Sequence, residues 1–170
     1  MAEQDPAEFL PDLVEELEHR VAYAAALYTA REGTQIFVDN QEQRVTPQDP
    51  RRGTVLTAYD GVSLYEYATS TVDRDALFRE ARAWVGTLSG CGPGSIDPGP
   101  EVKVEFETPV EVDPAGMPLP ERFERVREWQ ALARQCDSRV VNARVSYADG
   151  REESIFVNRT RVLRQGITRT

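Results

Sequence analysis

The chain has 170 residues, of which 40% are hydrophobic and 29% charged, which is typical of a globular protein with one sizeable core or two small ones. Its net charge of −9 opposes nucleic-acid binding, because affinity for phosphates comes largely from Lys and Arg. The sequence lacks an apolar run of about 18 residues and a secretory signal. We therefore expect a cytoplasmic protein that binds neither nucleic acid nor membrane, with Cys91 and Cys136 reduced.

The first block, residues 1–88, is predicted to contain a helix, several antiparallel strands and a second helix. Apolar residues recur at helical spacing from Leu13 to Leu17, just after Pro11, and predict a helix that ends near Arg20. A strand over about 21–30 and a returning strand from 34 follow, with Arg31-Glu32-Gly33 as the turn. The later signals are a turn at Pro50, a hairpin at Asp60-Gly61 and a helix capped by Thr71 or Asp73.

Residues 89–100 are rich in Gly and Pro and predict a linker or a long surface loop. The second block, 101–170, begins with an alternating half-exposed strand and continues with a helix that ends near Cys136. It then predicts a strand, a turn at Asp149-Gly150 and another strand. The segment from Arg161 starts like another strand and then stops. Either the chain is truncated there, which we favour, or the partner strand lies elsewhere in the chain.

The tripeptide Ile-Phe-Val occurs twice, at Ile36 and at Ile155, an offset of 155 − 36 = 119. The same offset superposes Tyr28 on Tyr147 and Asp39 on Asn158. The alternative is that two unrelated hairpins converged on similar sequences because they pack in the same way. Several residues match at the same offset, which favours duplication. We therefore predict an α+β fold, an antiparallel sheet packed by helices, in which a helix–hairpin unit is used twice.

Few residues of the sequence suggest catalysis. His19 is the single histidine, so the chain cannot supply the three ligands that a His-rich zinc site needs. Either cysteine would have only His19 as a histidine base, which disfavours Cys-His catalysis. We interpret the acidic residues as the solvent-exposed faces of a helix and a strand. The minor alternative is an active site that uses a pair of carboxylates. These acidic residues are Glu15, Glu16 and Glu18, and Glu101, Glu105 and Glu107. We predict no catalytic, cofactor-binding or metal-binding residue in this chain.

Several short motifs together resemble a known family. They are Tyr23-Ala24, Gly33, Arg52-Gly53, Asp60-Gly61 and Ala68-Thr69, followed by the helix and strands of 119–158. In this order they are similar to the N-terminal domain of the TldD/PmbA family, also called modulators of DNA gyrase. The sequence departs from the family pattern at Glu66 and at Asn158-Arg159-Thr160, where glycine and Asn-Ser-x-Gly are usual.

The resemblance implies a two-domain metallopeptidase that matures or degrades peptides and works as a homo- or heterodimer with a homologous subunit. The family's His-Glu-x-x-x-His motif follows the region matched here, so zinc is expected only in a missing C-terminal domain. The resemblance further suggests that this domain helps to enclose a path for a peptide or unfolded protein. We expect that path along a strand edge at 34–45 or 153–164.

Two other functions fit the sequence. One is a non-catalytic interaction module, stand-alone or the inactive partner of a heterodimer. The other is a small enzyme that uses carboxylates, which requires a cleft lined by Asp or Glu.

Overall fold

The computed structural model describes residues 4–88 and 92–169, except the side chain of Ala115. Three α-helices, one short 3-10 helix and six strands occur in this part of the chain. The helices are α1 (Pro6–Glu18), α2 (Arg74–Val85) and α3 (Leu119–Gln135), and Pro114–Gly116 form the 3-10 helix. The strands are β1 (Tyr23–Val38), β2 (Gln43–Tyr59), β3 (Leu64–Thr69), β4 (Val102–Glu107), β5 (Val145–Asn158) and β6 (Arg161–Arg169). None of these helices is long and apolar enough to cross a membrane.

The strands form one sheet in the order β3-β2-β1-β5-β6-β4. β2 and β3 are antiparallel, with Thr54 opposite Thr69 and Tyr59 opposite Leu64. β4 instead runs parallel to β6, with Val102 opposite Arg161. The predicted α+β class is therefore confirmed, whereas the double use of a helix–hairpin unit stays a prediction.

The chain divides into two interleaved packing units. Unit 1 comprises the described residues of Met1–Ala30, Arg51–Glu107 and Glu153–Gly166, and unit 2 comprises those of Arg31–Pro50, Thr108–Glu152 and Ile167–Thr170. These boundaries differ from the sequential division at 89–100, which remains a prediction.

Unit 1 contains the larger core. The apolar stripes of α1 and α2 pack against alternate residues of its strands. This is the expected packing, because an amphipathic helix buries its apolar side on the apolar face of a sheet. Leu13 and Leu77 from the helices and Leu56 and Ile155 from the strands are fully buried. The helix face of unit 1 therefore supplies most of the apolar burial among the described residues.

Unit 2 has a small core around Ile36, Val38 and Val126, with half-buried neighbours such as Phe123 and Tyr147. The amide of Gln130 on α3 is buried and donates to the carbonyl of Ala143 at 3.2 Å. Burial of a polar group is tolerated here because it is hydrogen-bonded. Helix α3 is thus held by a few apolar contacts and specific polar ones.

Aspartates fix the starts of the first two helices. Asp5 caps α1 by accepting from the Ala7 N–H at 3.0 Å, and Pro6 follows at the first helical position, where proline is favoured. The predicted start after Pro11 was wrong, because Asp5-Pro6 carries the stronger start signal. Asp73 caps α2 by accepting from the Ala76 N–H at 2.9 Å. Of the two predicted caps, Asp73 is therefore confirmed rather than Thr71.

Three predicted turns are wrong. β1 runs through 31–33, β2 through Pro50 and β5 through Asp149-Gly150. A Cβ on Gly33 would collide with the carbonyl oxygen of Asp149, so this glycine serves a close approach of two strands rather than a turn. The Asp60-Gly61 hairpin is confirmed, with Gly61 at φ +91° and the Asp60 carboxylate accepting from Val62 and Ser63.

The segment from Arg161 is not an unpaired strand, because β6 lies between β5 and β4. The described part of the Gly/Pro-rich stretch, residues 92–100, is irregular, as predicted, but it is fixed at both ends. The Gly94 N–H donates to the Gly61 carbonyl at 3.0 Å, and the Pro98 carbonyl accepts from Asn158 at 3.1 Å. Cys91 lies outside the described residues.

The repeated tripeptides end their strands in the same kind of turn. Asp39 accepts from the N–H groups of Gln41 and Glu42 at 2.8 and 2.7 Å. Asn158 accepts from those of Thr160 and Arg161 at 3.0 and 2.8 Å, which preserves the offset of 119. Ile36 and Ile155 nevertheless belong to different cores, so duplication remains a hypothesis.

Candidate functional site

A groove in unit 1 lies between one flank of α1 and the strands β6 and β4. It consists of two open depressions of about 840 and 730 Å³ that share Pro11, Lys103 and Val162. Helix residues form one wall, β4 forms the other, and Val162 and Arg164 of β6 lie between them. We call this feature the α1–β4 groove.

Helical spacing explains the helix wall. Glu8, Pro11 and Glu15 recur at intervals of three and four, so they lie along one flank of α1. The buried residues of α1, such as Leu10, Leu13 and Leu17, occupy the adjacent stripe that packs on the core. Asp12 and Glu16 lie on the other flank, beside Arg74 and Arg82 of α2.

Several charges in the groove are already paired. Glu18 accepts from Arg159 at 2.6 Å, and Arg164 contacts Asp5 at 2.8 Å and Glu153 at 2.6 Å. These carboxylates raise the pKa of both arginines further above its ordinary value, chiefly because Arg159 donates a hydrogen bond to Glu18 and Arg164 donates one to Glu153. Arg159 and Arg164 are therefore committed to structural contacts.

Other charges of the groove have no such partner. Among the described residues, the side chains of Glu8, Glu15, Glu101 and Lys103 form no hydrogen bond or ion pair. All four are exposed. Three acids and one lysine give the open rim of the groove an acidic balance, which favours a ligand of positive charge.

Asn158 closes one end of the groove. Its side chain is 6% exposed, and it links the β5–β6 turn to the loop by donating to the Pro98 carbonyl. Thr160 donates to the same carbonyl at 3.1 Å. The Asn158-Arg159-Thr160 departure from the family pattern is thus a capped turn that holds residues 98–100 beside β4.

His19 lines the groove at the C-terminal end of α1, where it is exposed. No group of three or more His, Cys, Asp or Glu residues suited to a metal ion occurs within 4–88 and 92–169. Cys136 is exposed and free at the end of α3. The pKa of Glu16 is lowered, mainly by hydrogen bonds from Arg82, so this carboxylate acts as an ion-pair partner.

The structure gives different results for the two segments predicted as strand edges. Segment 153–164 lies in β5 and β6, which are both interior to the sheet. In 34–45, residues 34–38 belong to the interior strand β1, whereas 43–45 belong to the part of β2 that precedes its pairing with β3 at Thr54. The terminal strands of the sheet are β3 and β4, and β4 borders the groove.

Unit 2 contains a second polar cluster. Arg122 of α3 pairs with Asp149 of β5, and both side chains are largely buried. The Nε of Arg122 has no hydrogen-bond partner among the described residues. Burial, followed by the Asp149 charge, raises the pKa of the Tyr147 hydroxyl. This cluster was not predictable from the sequence, since no local pattern links residue 122 to residue 149.

The fold defines a class: an α+β domain with a mixed six-stranded sheet. No model of a protein family matches the sequence, and no curated protein matches it. Solved structures do match. One is a proposed modulator of DNA gyrase from Bacteroides thetaiotaomicron, with a TM-score of 0.73 and 16% identity over 99% of this chain and 40% of that one.

A proposed modulator of DNA gyrase from Thermotoga maritima matches with a TM-score of 0.71 and 16% identity, covering 95% of this chain and 37% of that one. TldE from Thermococcus kodakarensis matches with a TM-score of 0.70 and 14% identity, covering 92% and 36%. The chain thus spans about two fifths of the length of the structures it matches. The resemblance to the TldD/PmbA family is confirmed at the level of fold.

Proposed function

We propose that the chain is a non-catalytic N-terminal domain of a TldD/PmbA-like metallopeptidase, which helps to enclose a peptide path and to form a dimer with a homologous subunit. One observation carries the proposal: the fold of the whole chain matches part of proteins of this type, at a TM-score of 0.73 over 99% of its length. The catalytic zinc and its His-Glu-x-x-x-His ligands would then come from a separate segment or subunit.

The groove supports a role in handling peptides rather than small molecules. It is open and elongated, and it borders a strand rather than enclosing a deep apolar cavity of the kind that small ligands prefer. Strand edges bind peptides through backbone hydrogen bonds, which tolerate varied side chains. A domain that helps to guide many peptides would benefit from such tolerance.

The test compares the peptidase activity of the isolated chain with that of the assembly that contains it. One sample is the purified 170-residue chain. The other is the complex that contains this chain, immunoprecipitated from the cells that produce it. Both samples are incubated with an unstructured peptide and zinc. We expect chelator-sensitive cleavage by the complex, a subunit or segment with a His-Glu-x-x-x-His motif within it, and no cleavage by the isolated chain. Cleavage by the isolated chain, or a complex without chelator-sensitive activity, would overturn the proposal.

One observation favours an interaction module that acts without a peptidase. Large apolar side chains are exposed, among them Val104 and Phe106 at 51% and 52%. Exposed apolar groups on one strand mark a binding surface. A complex that is stable but lacks any metallopeptidase segment would support this second function.

A further inference from the structure

Strand β4 is a terminal strand whose outer edge faces no other strand of the described residues. The Val102 N–H donates to the Thr160 carbonyl at 2.9 Å. In a parallel ladder alternate residues bond to the neighbour, so Val102, Val104 and Phe106 use their backbone groups toward β6. The intervening residues Lys103 and Glu105 therefore direct their N–H and C=O groups outward.

The two faces of β4 differ in chemistry. Val104 and Phe106 project from one face and are about half exposed. Lys103 and Glu105 project from the other face, because successive side chains alternate across a strand. That second face borders the α1–β4 groove, whose helix wall carries Glu8.

We propose that β4 accepts an extended peptide segment as a further strand, and that the segment alternates cationic and apolar residues. Side chains of adjacent strands share a face, so every second residue of the segment would lie beside Val104 and Phe106. The residues between them would lie on the face of Lys103 and Glu105, and Glu105 is 3.8 Å from Arg164. Among the described residues, the other groups of that groove without an ion pair include Glu8, Glu15 and Glu101, so its balance is acidic and favours positive charge.

This inference deepens the proposed function, because it names the surface and the chemistry of the peptide that the domain would guide. Its test needs no peptidase. Peptide binding with an inactive assembly would refute only the proposed function, whereas an active assembly without binding at β4 would refute only this inference.

The first experiment compares two labelled peptides, TVKVKVKVT and TVEVEVEVT, by fluorescence anisotropy with the 170-residue chain. They share length, strand propensity and apolar residues and differ only in charge sign. At low salt we expect the lysine peptide to bind about tenfold more tightly, and the difference to shrink as salt screens the charges. Equal affinity of the two peptides would overturn the proposal.

The second experiment uses Glu105→Pro with Glu105→Ala as its matched control. The proline removes an outward N–H that the β4–β6 ladder does not use, so the fold should persist, as circular dichroism and the melting temperature would show. We expect Glu105→Pro to weaken lysine-peptide binding about tenfold and Glu105→Ala to weaken it far less, since the alanine keeps the edge donor. Equal binding by the two variants would refute strand addition at β4.

A third experiment tests the helix wall. The double variant Glu8→Gln/Glu15→Gln should weaken lysine-peptide binding about threefold, whereas Asp12→Asn on the opposite flank of α1 should leave it unchanged. An equal effect of both would assign the preference to net charge instead. A dimer of the chain that Glu105→Pro dissociates would show that a second copy occupies the edge, and would also overturn the proposal.

Discussion

The two Ile-Phe-Val hairpins combine the same local chemistry with very different surroundings. Both strands end in a side chain, Asp39 or Asn158, that accepts two backbone N–H groups of the following turn. Ile155 then belongs to a core of seventeen buried residues, whereas Ile36 belongs to one of three, counted over the described part of the chain. Local sequence determines the turn, and the packing partners determine how much each hairpin contributes to stability.

The largest expected difference comes from the two isoleucines. Ile155→Ala should lower the free energy of unfolding by about 4 kcal/mol, because its fully buried neighbours cannot close the cavity. Ile36→Ala should cost about 2 kcal/mol, since half-buried neighbours such as Val45 and Tyr147 can relax. Urea unfolding of both variants measures the difference. Equal losses would show that the small core is as rigid as the large one.

Asn158→Ala tests the buried turn and should have the next largest effect. The variant removes the acceptor for two N–H groups and the donor to the Pro98 carbonyl, at a site that is 6% exposed. We expect a loss of about 2 kcal/mol and faster hydrogen exchange at Thr160 and Arg161. Asn158→Asp keeps the acceptor but not the donor, so it separates the turn from the loop contact. A loss no larger for Asn158→Ala than for Asn158→Asp would assign the effect to the loop.

The turn that begins at Asp39 should affect the pH dependence of stability more than the stability at neutral pH. The N–H groups of Gln41 and then Glu42 hold the pKa of Asp39 below its ordinary value, with a smaller contribution from Arg144. A lowered pKa in the folded state means that Asp39 stabilises the fold above its unfolded pKa, and that this contribution is lost as the pH falls through the folded pKa.

Asp39→Asn retains the acceptor without the titration. We therefore expect it to lose less stability than the unmodified chain on acidification from pH 5 to below about pH 4, the region where aspartate titrates. Thermal melts across that range provide the measurement. Parallel curves for the two proteins would mean that Asp39 has no role in acid sensitivity.

Features with a local signal were predictable from the sequence. The Asp60-Gly61 hairpin, the α2 cap at Asp73 and helix α3 depend on neighbouring residues. The false turns at 31–33 and 149–150 arose because glycine signals both a turn and a close strand approach. Only the pairing of Gly33 with Asp149, residues distant in sequence, shows which of the two applies.

The groove itself was not predictable. The alternation of Val102, Val104 and Phe106 identified β4 as a strand, but both of its faces are exposed and only Val102 is half-buried, so the predicted half-exposed pattern is wrong. The sequence could not show that β4 runs parallel to β6 at the end of the sheet or that α1 lies beside it. Those relations depend on contacts between segments that are about sixty residues apart for β4 and β6 and about ninety for α1 and β4, and no local pattern predicts such contacts.

The interleaving of the two units has a consequence for synthesis on the ribosome. Leu13, Leu56 and Leu77 emerge early, but their core also requires Ile155 and Val157, which emerge near the end. The apolar stripes of α1 and α2 therefore stay exposed until β5 has been made, more than a hundred residues after α1. A nascent chain halted before β5 should bind chaperones at the ribosome, and these chaperones should be released once β5 has been made.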